Sequence, residues 1–222
     1  KESLLFKITK NLEKHFLLEA DKVVSLTEAA LKEIGRFPYL KDKTLNIEVI
    51  RTCTDLSVFK PQKFAKRGTD NQADKFFTLG YVGSVSLWYM FEETLKFFSV
   101  FKEFQKDAIL YIVNRGEHQY ILDLLKKYSL KKEHVILEAS DHLRVVDCMK
   151  RMDAGIFFIK PFYSKIASSP TKLGEFLAMG LPCLTNTEIG DMDSILRDNN
   201  TGVLLEDFNK DIEIVIDTLK KV

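Results

Sequence analysis

The spacing of apolar residues along the chain changes its character between residues 60 and 76. In the first part, Leu5, Ile8, Leu12 and Phe16 recur at helical spacing, which predicts a helix over residues 4–20. The chain therefore opens with an amphipathic helix rather than with a strand.

Two short strands and a second helix follow in this first part. The strands are predicted over residues 22–26 and 46–50. Between them, Ser25 or Thr27 can cap a helix that ends at Gly35, and a Glu three residues after Ser25 fits a capping box. Because one strand–helix unit cannot form a complete sheet, this part is predicted to be a remnant of a domain.

Strand and helix patterns alternate regularly from residue 76 onward, after the polar segment 60–75, which is predicted to be a linker or exposed loop. Strands are predicted over residues 76–82, 108–113, 135–137, 154–159, 183–185 and 202–205. Helices are predicted over residues 91–104, 120–128, 143–151, 170–179 and 211–221, with a short helical turn over 194–197. This alternation predicts an α/β doubly wound, Rossmann-like domain with a mostly parallel sheet. Such sheets bind ligands beyond the carboxyl ends of their strands.

Composition limits the classes of protein to which the chain can belong. Apolar residues make up 45% and charged residues 29% of its 222 residues, which is ordinary for a soluble globular protein. The net charge of +1 provides no global field for nucleic acid or anionic lipid, and the basic cluster at 60–67 is interpreted as a solvated linker. No apolar run approaches the roughly 20 residues of a membrane span. Neither a signal peptide nor an initiator Met is visible, so we expect a fragment of a longer protein.

The cysteines and histidines do not indicate a metal site. Cys53, Cys148 and Cys183 are too few and too scattered for a disulfide framework or zinc ligation, and they favour a reducing compartment. The four histidines lack metal-ligand spacing. No Ser-His-Asp, Cys-His or paired-carboxylate arrangement stands out, so the sequence does not favour nucleophilic catalysis either.

Residues 168–182 carry the most informative motif of the chain. Ser169 suits an N-cap, Pro170 suits the first helical position, and Gly180 with Pro182 ends the helix. The helix follows a strand through a loop. Its N-terminus is therefore predicted to lie at the carboxyl edge of the sheet, where ligands bind.

One side of this helix is polar in its first turns. Thr171, Lys172 and Glu175 share that side, because residues three and four apart are neighbours on a helix. Free N–H groups at a helix start, with a Lys beside them, can hold phosphate, and a carboxylate one turn further can accept hydrogen bonds from sugar hydroxyls. Together they predict a nucleotide-sugar site. The alternative is a Lys172–Glu175 ion pair on a solvated surface.

Other loops are predicted to reach the same edge of the sheet. Gly83 and Ser84 allow the backbone to approach a ligand closely, although a tight strand-to-helix turn explains them as well. Arg115 can pair with a phosphate, or it is an ordinary exposed loop residue. Loops 139–142 and 189–191 can line the cleft, the first beside a nucleobase.

Several of these segments resemble the retaining glycosyltransferases of family 4, the group 1 enzymes with the GT-B fold. Residues 168–182, followed by 186–191, resemble the donor-site motif of that family. Residues 19–27 are similar to the last strand–helix unit of its N-terminal domain, residues 49–61 to its interdomain hinge, and residues 199–205 to a later loop and strand. The blocks occur in the order of the family and span nearly the whole chain.

The resemblance implies a division into domains. Residues 1–54 would be the end of the N-terminal acceptor-side domain with the hinge, and residues 55–222 the C-terminal domain that binds the nucleotide-sugar. Glu175 matches the glutamate that contacts the ribose, and Gly83 matches the glycine of the first donor loop. The stretch from Thr171 to Leu173 matches backbone N–H groups and a nearby cation that face the diphosphate.

Two departures from the family pattern shift the expected contacts. Ala167 stands where the first glutamate of the motif belongs, and residues 84–90 lack the Arg/Lys pair often found after the first glycine loop. Donor recognition is therefore expected to rely more on Ser168, Ser169 and Lys172. Lys172 is also the predicted catalytic residue. The predicted donor-binding residues are Gly83, Ser84, Arg115, Ser168, Ser169, Thr171, Lys172, Leu173 and Glu175.

The resemblance also implies a reaction. A sugar would pass, with retention, from a nucleotide-sugar donor to a glycan or lipid-linked acceptor in cell-surface polysaccharide biosynthesis. The nucleotide-sugar is a substrate, so no cofactor, no metal and no nucleic acid is expected. The full-length protein would be cytoplasmic with peripheral contact at the inner face of the membrane, and the fragment alone would be inactive. Two alternatives stay open: a non-catalytic nucleotide-binding module, and a GT-B-like nucleotide-sugar epimerase.

Overall fold

The computed structural model describes residues 3–61, 76–141, 144–206 and 215. Within these residues lie two sheets, one of two strands and one of six. Every ladder between neighbouring strands is parallel, which confirms the predicted α/β architecture with a mostly parallel sheet.

The smaller sheet is built from the opening part of the chain, and its elements fall within the predicted ranges. Thr27 caps the second helix by accepting the N–H of Ala30 at 3.0 Å. The Ser25 hydroxyl instead donates to the Thr27 carbonyl, so the predicted Ser25 capping box is wrong. In chain order the elements are α1 (Leu4–Glu19), β1 (Val23–Ser25), α2 (Glu28–Ile34) and β2 (Ile47–Val49).

The larger sheet has the strand order β5-β4-β3-β6-β7-β8. Its strands are β3 (Thr78–Val82), β4 (Ile109–Val113), β5 (Val135–Glu138), β6 (Ala154–Ile156), β7 (Cys183–Asn186) and β8 (Gly202–Leu205). The strand order turns back at β3 and β6. This topology leaves a crevice between the carboxyl ends of these two strands, which is the usual position of a ligand in a doubly wound sheet.

Helices that follow the strands close the core. They are α3 (Phe91–Phe104), α4 (His118–Lys127), α5 (Val145–Met149), α6 (Thr171–Ala178) and α7 (Met192–Asn199). Leu95, Phe98 and Phe101 share one side of α3 as predicted, and all three are buried in the core. Burial of each such side chain contributes about 1.5–3 kcal/mol to folding.

Strand β6 is shorter and helix α7 is longer than its predicted range. Strand β6 ends at Ile156 although the apolar run continues, because Phe157 stacks on Phe176 of α6 and Ile159 forms an isolated antiparallel bridge to Tyr89. Helix α7 has eight residues where only a short turn is predicted. It ends at Asn199, and the left-handed φ of 51° at Asn200 suits the residue that follows a helix.

Some predictions fall outside the described residues. The linker from residue 62 onward and the final helix over 211–221 are among them, and so are residues 142–143 at the start of the predicted helix 143–151. The domain boundary after residue 54 stays a prediction.

Candidate functional site

The loop after β3 crosses the crevice close to the first turn of α6. Gly83 has a φ of +103°, a conformation that favours glycine. A Cβ at this position would lie 2.9 Å from Cε and 3.1 Å from Nζ of Lys172. Glycine is therefore required here both by the backbone conformation and by the space that the lysine occupies.

Lys172 lies in an aromatic enclosure beneath this loop and is only 8% exposed. Its Nζ is 3.6 Å from the ring centroid of Tyr89, 4.8 Å from that of Tyr81 and 6.0 Å from that of Phe157. Among the described residues, none accepts a hydrogen bond from Nζ. Ring faces attract a cation, but they do not satisfy three N–H donors, so the ammonium is poised to meet an anion.

Burial lowers the pKa of Lys172 to about 7, against the negative charges of Glu175 and Glu117, which raise it. Near neutral pH the side chain therefore exists in both protonation states. A bound anion would favour the protonated state, because an opposite charge nearby stabilises the ammonium. The solvated Lys172–Glu175 pair considered as an alternative is wrong, since Lys172 lies in the interior.

Helix α6 begins one residue later than its sequence predicts. Pro170 rather than Ser169 occupies the N-cap, and no side chain caps the helix. The Ser169 hydroxyl oxygen instead accepts the N–H of Thr52 at 3.1 Å, and the Leu173 N–H donates to the Pro170 carbonyl at 3.1 Å. Since a helix N-terminus carries spare N–H groups and partial positive charge, the first turn favours an anion beside Lys172.

The remaining predicted residues of this segment lie around the start of α6. Thr171 is exposed, Ser168 and Glu175 are half-buried, and Leu173 is buried in the core. A Cβ on Gly190 would lie 2.1 Å from the Ser168 carbonyl oxygen, so the loops before α6 and α7 pack backbone against backbone. The structure thus brings the polar members of the segment together, whereas the Leu173 side chain serves packing.

The loop after β4 contacts the Gly83 loop through two residues that sequence reasoning missed. Arg115 is exposed, but its neighbours Asn114 and Glu117 reach Gly83 and Val85 by hydrogen bonds. A polar residue placed directly after a fully apolar strand is the signal that identifies Asn114. Ser84 is exposed, like Arg115.

Asp191, in the predicted cleft loop 189–191, connects the larger sheet to the smaller one. Its carboxylate accepts the N–H groups of Glu28 at 2.9 Å and Ala29 at 3.0 Å, both in the first turn of α2. The Arg51 guanidinium donates to the same carboxylate at 2.7 and 3.0 Å. Although burial alone would raise the pKa of Asp191, these hydrogen bonds lower it. This loop therefore holds the start of α2 and the Arg51 side chain beside the loop that leads into α6.

The described part of the chain has neither a cluster of metal ligands nor a membrane-spanning helix. Residues 3–61, 76–141 and 144–206 contain no group of three or more His, Cys, Asp or Glu that could hold a metal ion. In these ranges no helix is long and apolar enough to cross a membrane. The three cysteines are free thiols, and burial raises the pKa of Cys183. That the site needs no metal stays a prediction.

Solved structures share this fold at low sequence identity. S. aureus TarM, in complex with fondaparinux, alpha-GlcNAc-glycerol and UDP, gives a TM-score of 0.67 at 14% identity over 97% of this chain and 40% of TarM. The pneumococcal O-GlcNAc transferase GtfA, in complex with UDP and GlcNAc, gives a TM-score of 0.65 at 11% identity. The alignment covers 94% of this chain and 39% of GtfA. Anabaena HepE, in complex with UDP and glucose, gives a TM-score of 0.63 at 14% identity. The alignment covers 96% of this chain and 56% of HepE.

The chain therefore covers only part of the length of these proteins, between 39% and 56% of each. Its six-stranded sheet matches the C-terminal Rossmann-like domain of GT-B glycosyltransferases. A search of curated proteins finds no significant match.

The sequence itself matches one family profile, described as "Glycosyl transferases group 1". The match extends over residues 62–221, well over half of the chain, and includes the Gly83 loop and all of α6. The chain belongs to the glycosyl transferases group 1 family.

Proposed function

We propose that this chain is the nucleotide-sugar-binding part of a retaining glycosyltransferase of family 4. The observation that carries the proposal is Lys172, a buried ammonium that finds no hydrogen-bond acceptor among the described residues. It lies beside the N-terminus of α6 at the crevice of a parallel sheet. A diphosphate at this position would accept hydrogen bonds from the N–H groups of the Lys172 ammonium, for which no described protein atom is an acceptor.

Lys172 is the proposed catalytic residue, because charge develops next to it during transfer. The bond between the anomeric carbon and the diphosphate oxygen breaks, and the diphosphate keeps the electron pair. Lys172 and the first-turn N–H groups of α6 stabilise that charge. The acceptor hydroxyl oxygen bonds to the anomeric carbon on the face that the diphosphate leaves, and its proton passes to the departing diphosphate.

Glu175 is the proposed contact for the ribose. It is half-buried one turn after Lys172, and its carboxylate can accept hydrogen bonds from two adjacent hydroxyls. The proposal keeps the other predicted donor contacts, which are Gly83, Ser84, Arg115, Ser168, Ser169, Thr171 and Leu173.

The acceptor and the setting of the whole protein belong to the same proposal. A glycan or lipid-linked acceptor, a role in cell-surface polysaccharide biosynthesis, and a cytoplasmic enzyme in peripheral contact with the inner membrane face rest on the family resemblance alone. The TarM, GtfA and HepE structures contain UDP, which makes uridine nucleotides the first probes to test.

A second candidate function is favoured by Ala167. This exposed residue ends a short 3-10 helix (Tyr163–Ala167), where the family's first glutamate would contact the sugar. Without that carboxylate, a non-catalytic nucleotide-binding module or a nucleotide-sugar epimerase is an alternative. An epimerase would interconvert the donor sugars in the absence of any acceptor, whereas a module would leave them unchanged.

Thermal unfolding with a panel of UDP, GDP, CMP and ADP sugars tests the proposed site. A true donor at a hundredfold excess over its Kd should stabilise the protein by roughly 2.7 kcal/mol. For a chain of this size that corresponds to a rise in Tm of roughly 5–10 °C. Lys172→Met and Glu175→Ala should each remove most of this rise.

Lys126→Met provides the matched control, because Lys126 is an exposed lysine in the last turn of α4. The control should respond to the sugars as the wild type does. Equal shifts in wild type, Lys172→Met and Glu175→Ala would show that the nucleotide binds elsewhere. No shift with any sugar in the panel would overturn the proposed function itself.

A further inference from the structure

Behind the Gly83 loop lies a buried amide whose hydrogen-bonding groups are all used. Asn114 is 2% exposed, and its Nδ2 donates to the Gly83 carbonyl at 3.0 Å and to Glu117 Oε2 at 2.9 Å. Its Oδ1 accepts the N–H groups of Gly116 at 3.0 Å and of Glu117 at 2.7 Å. Asn114 therefore binds the loop after β3 to the start of α4.

Glu117 completes this contact from the N-cap of α4. Its Oε2 also accepts the N–H of Val85 at 3.0 Å, so the loop is fixed on both sides of Ser84. Although burial alone would raise the pKa of Glu117, hydrogen bonds from Ser86, Asn114 and Val85 lower it to about 2. Glu117 is therefore a permanent negative charge at the crevice at any pH of interest.

Lys172 contacts the same loop at the position that a Gly83 side chain would fill. Among the described residues, the charged and titratable groups that face Lys172 are Glu117 at the N-cap of α4, Glu175 of α6, Tyr81 of β3 and Tyr89 of the following loop. Burial raises the pKa of both tyrosines, which keeps their hydroxyls neutral. Only the two carboxylates of this set therefore supply negative charge to the ammonium.

We propose that Glu117 is a positioning residue of the donor site, which fixes the Gly83–Val85 loop over the diphosphate position and supplies negative charge to the Lys172 ammonium beside that loop. This inference rests on the proposed function. Glu117 contributes to donor binding in two separable ways. Its carboxylate accepts the Val85 N–H and so holds the loop in place, and its negative charge acts on the Lys172 ammonium.

Two substitutions separate these contributions. Glu117→Gln retains an oxygen that can accept from Val85 and Asn114 but removes the charge. Glu117→Asp retains the charge but shortens the side chain, so its carboxylate no longer reaches the Val85 N–H. Glu103→Gln is the matched control, because Glu103 is exposed near the end of α3.

The experiment is calorimetric titration with UDP-glucose between pH 5.5 and 9, a probe whose diphosphate charge is constant over this range. Wild-type affinity should fall as pH rises through about 7, where Lys172 loses its proton. In Glu117→Gln the fall should begin about one pH unit lower, which gives a roughly threefold to tenfold weaker affinity at pH 7.5 and little change at pH 5.5. Glu117→Asp should weaken binding at every pH without moving the midpoint, and Glu103→Gln should behave as wild type.

A second readout needs no ligand. The Cε resonances of Lys172 in carbon-labelled protein report its own titration, whose midpoint should move down in Glu117→Gln and stay in place in Glu117→Asp. An unchanged midpoint in Glu117→Gln, or a lowered one in Glu117→Asp, would overturn the inference even where UDP-glucose binds as proposed. Failure of the wild type to bind any sugar of the panel would instead contradict the proposed function, and the resonance titration would still decide the effect of Glu117 on Lys172.

Discussion

At the scale of single residues, Lys172 destabilises the unliganded protein. Its pKa falls from 10.5 in the unfolded chain to about 7 in the folded one, so between these values the unfolded chain binds more protons. Stability therefore rises with pH over this window and is lowest below pH 7, where folding must bury a charged ammonium. A group retained at such a cost is typical of a binding site.

Replacing this lysine by an apolar residue of similar length should stabilise the free protein. We expect Lys172→Met to raise the free energy of unfolding by roughly 3–5 kcal/mol at pH 6, and by about half as much at pH 9. Urea unfolding at the two pH values measures the difference. Lys126→Met, at an exposed site of α4, is the control substitution. A Lys172→Met effect that is equal at both pH values would contradict the lowered pKa of Lys172.

Residue-scale prediction from the sequence succeeded for some local signals, although Ser25 and Ser169 are not the caps it predicted, and it failed for contacts across the chain. Thr27 as a cap and Gly83 as a tight turn follow from neighbouring residues. The burial of Lys172 does not, because it depends on Tyr81 and Tyr89, which lie far away in the chain. Glu117 was missed for the same reason, since its partner Val85 is 32 residues away. The role of each donor-site residue stays a prediction.

At the scale of elements, the start of α2 depends on a loop from the other end of the chain. The Asp191 carboxylate accepts two N–H groups of its first turn, in addition to the Thr27 cap. A carboxylate at a helix N-terminus accepts hydrogen bonds from N–H groups that have no partner inside the helix. Its negative charge also interacts favourably with the positive end of the helix dipole. Helix α2 is only seven residues long, so these end contacts weigh heavily in its stability.

Removal of this carboxylate should therefore loosen α2 before it affects the larger sheet. Asp191→Ala leaves the Glu28 and Ala29 N–H groups and Arg51 without their acceptor, which should cost roughly 2–4 kcal/mol of folding free energy. Hydrogen exchange should show the amides of α2 exchanging faster. Asp198→Ala, at an exposed site near the end of α7, is the control. Unchanged exchange of α2 in Asp191→Ala would show that the contact does not hold the helix.

Element types were more predictable than element ends. The alternation of strand and helix patterns identified the parallel sheet because buried parallel strands are apolar on both faces. The end of β6 was missed, since Phe157 and Ile159 remain buried after leaving the ladder. Buried residues outside a strand produce the same apolar sequence pattern as residues inside one. Phe157 lies outside the strand and stacks on Phe176, a contact that depends on where α6 packs.

At the scale of the whole molecule, the chain resembles one part of a larger architecture. The alignment with TarM includes 97% of this chain but 40% of TarM, and it places the six-stranded sheet in the C-terminal Rossmann-like domain. Membership of the glycosyl transferases group 1 family confirms the broad functional prediction, while retention and the acceptor stay predictions.

We therefore expect residues 1–222 to bind a nucleotide-sugar but to transfer little or none of it. The predicted donor contacts lie on the larger sheet, and the part predicted to belong to the acceptor side forms, among the described residues, a sheet of two strands. A coupled assay for released nucleoside diphosphate, with candidate glycan and lipid-linked acceptors, measures transfer. Thermal stabilisation by the same donor in the same sample provides the control for a folded site. Robust transfer by this chain alone would contradict the expectation.

The contact between Gly83 and Lys172 has a consequence for the evolution of this site. Nζ of the lysine lies 3.1 Å from where a side chain at residue 83 would begin, so the two positions share one volume. A relative that gains any side chain at the first position must move or shorten the second. We therefore expect the pair to covary among homologues, with a lysine in the helix only where the loop keeps its glycine.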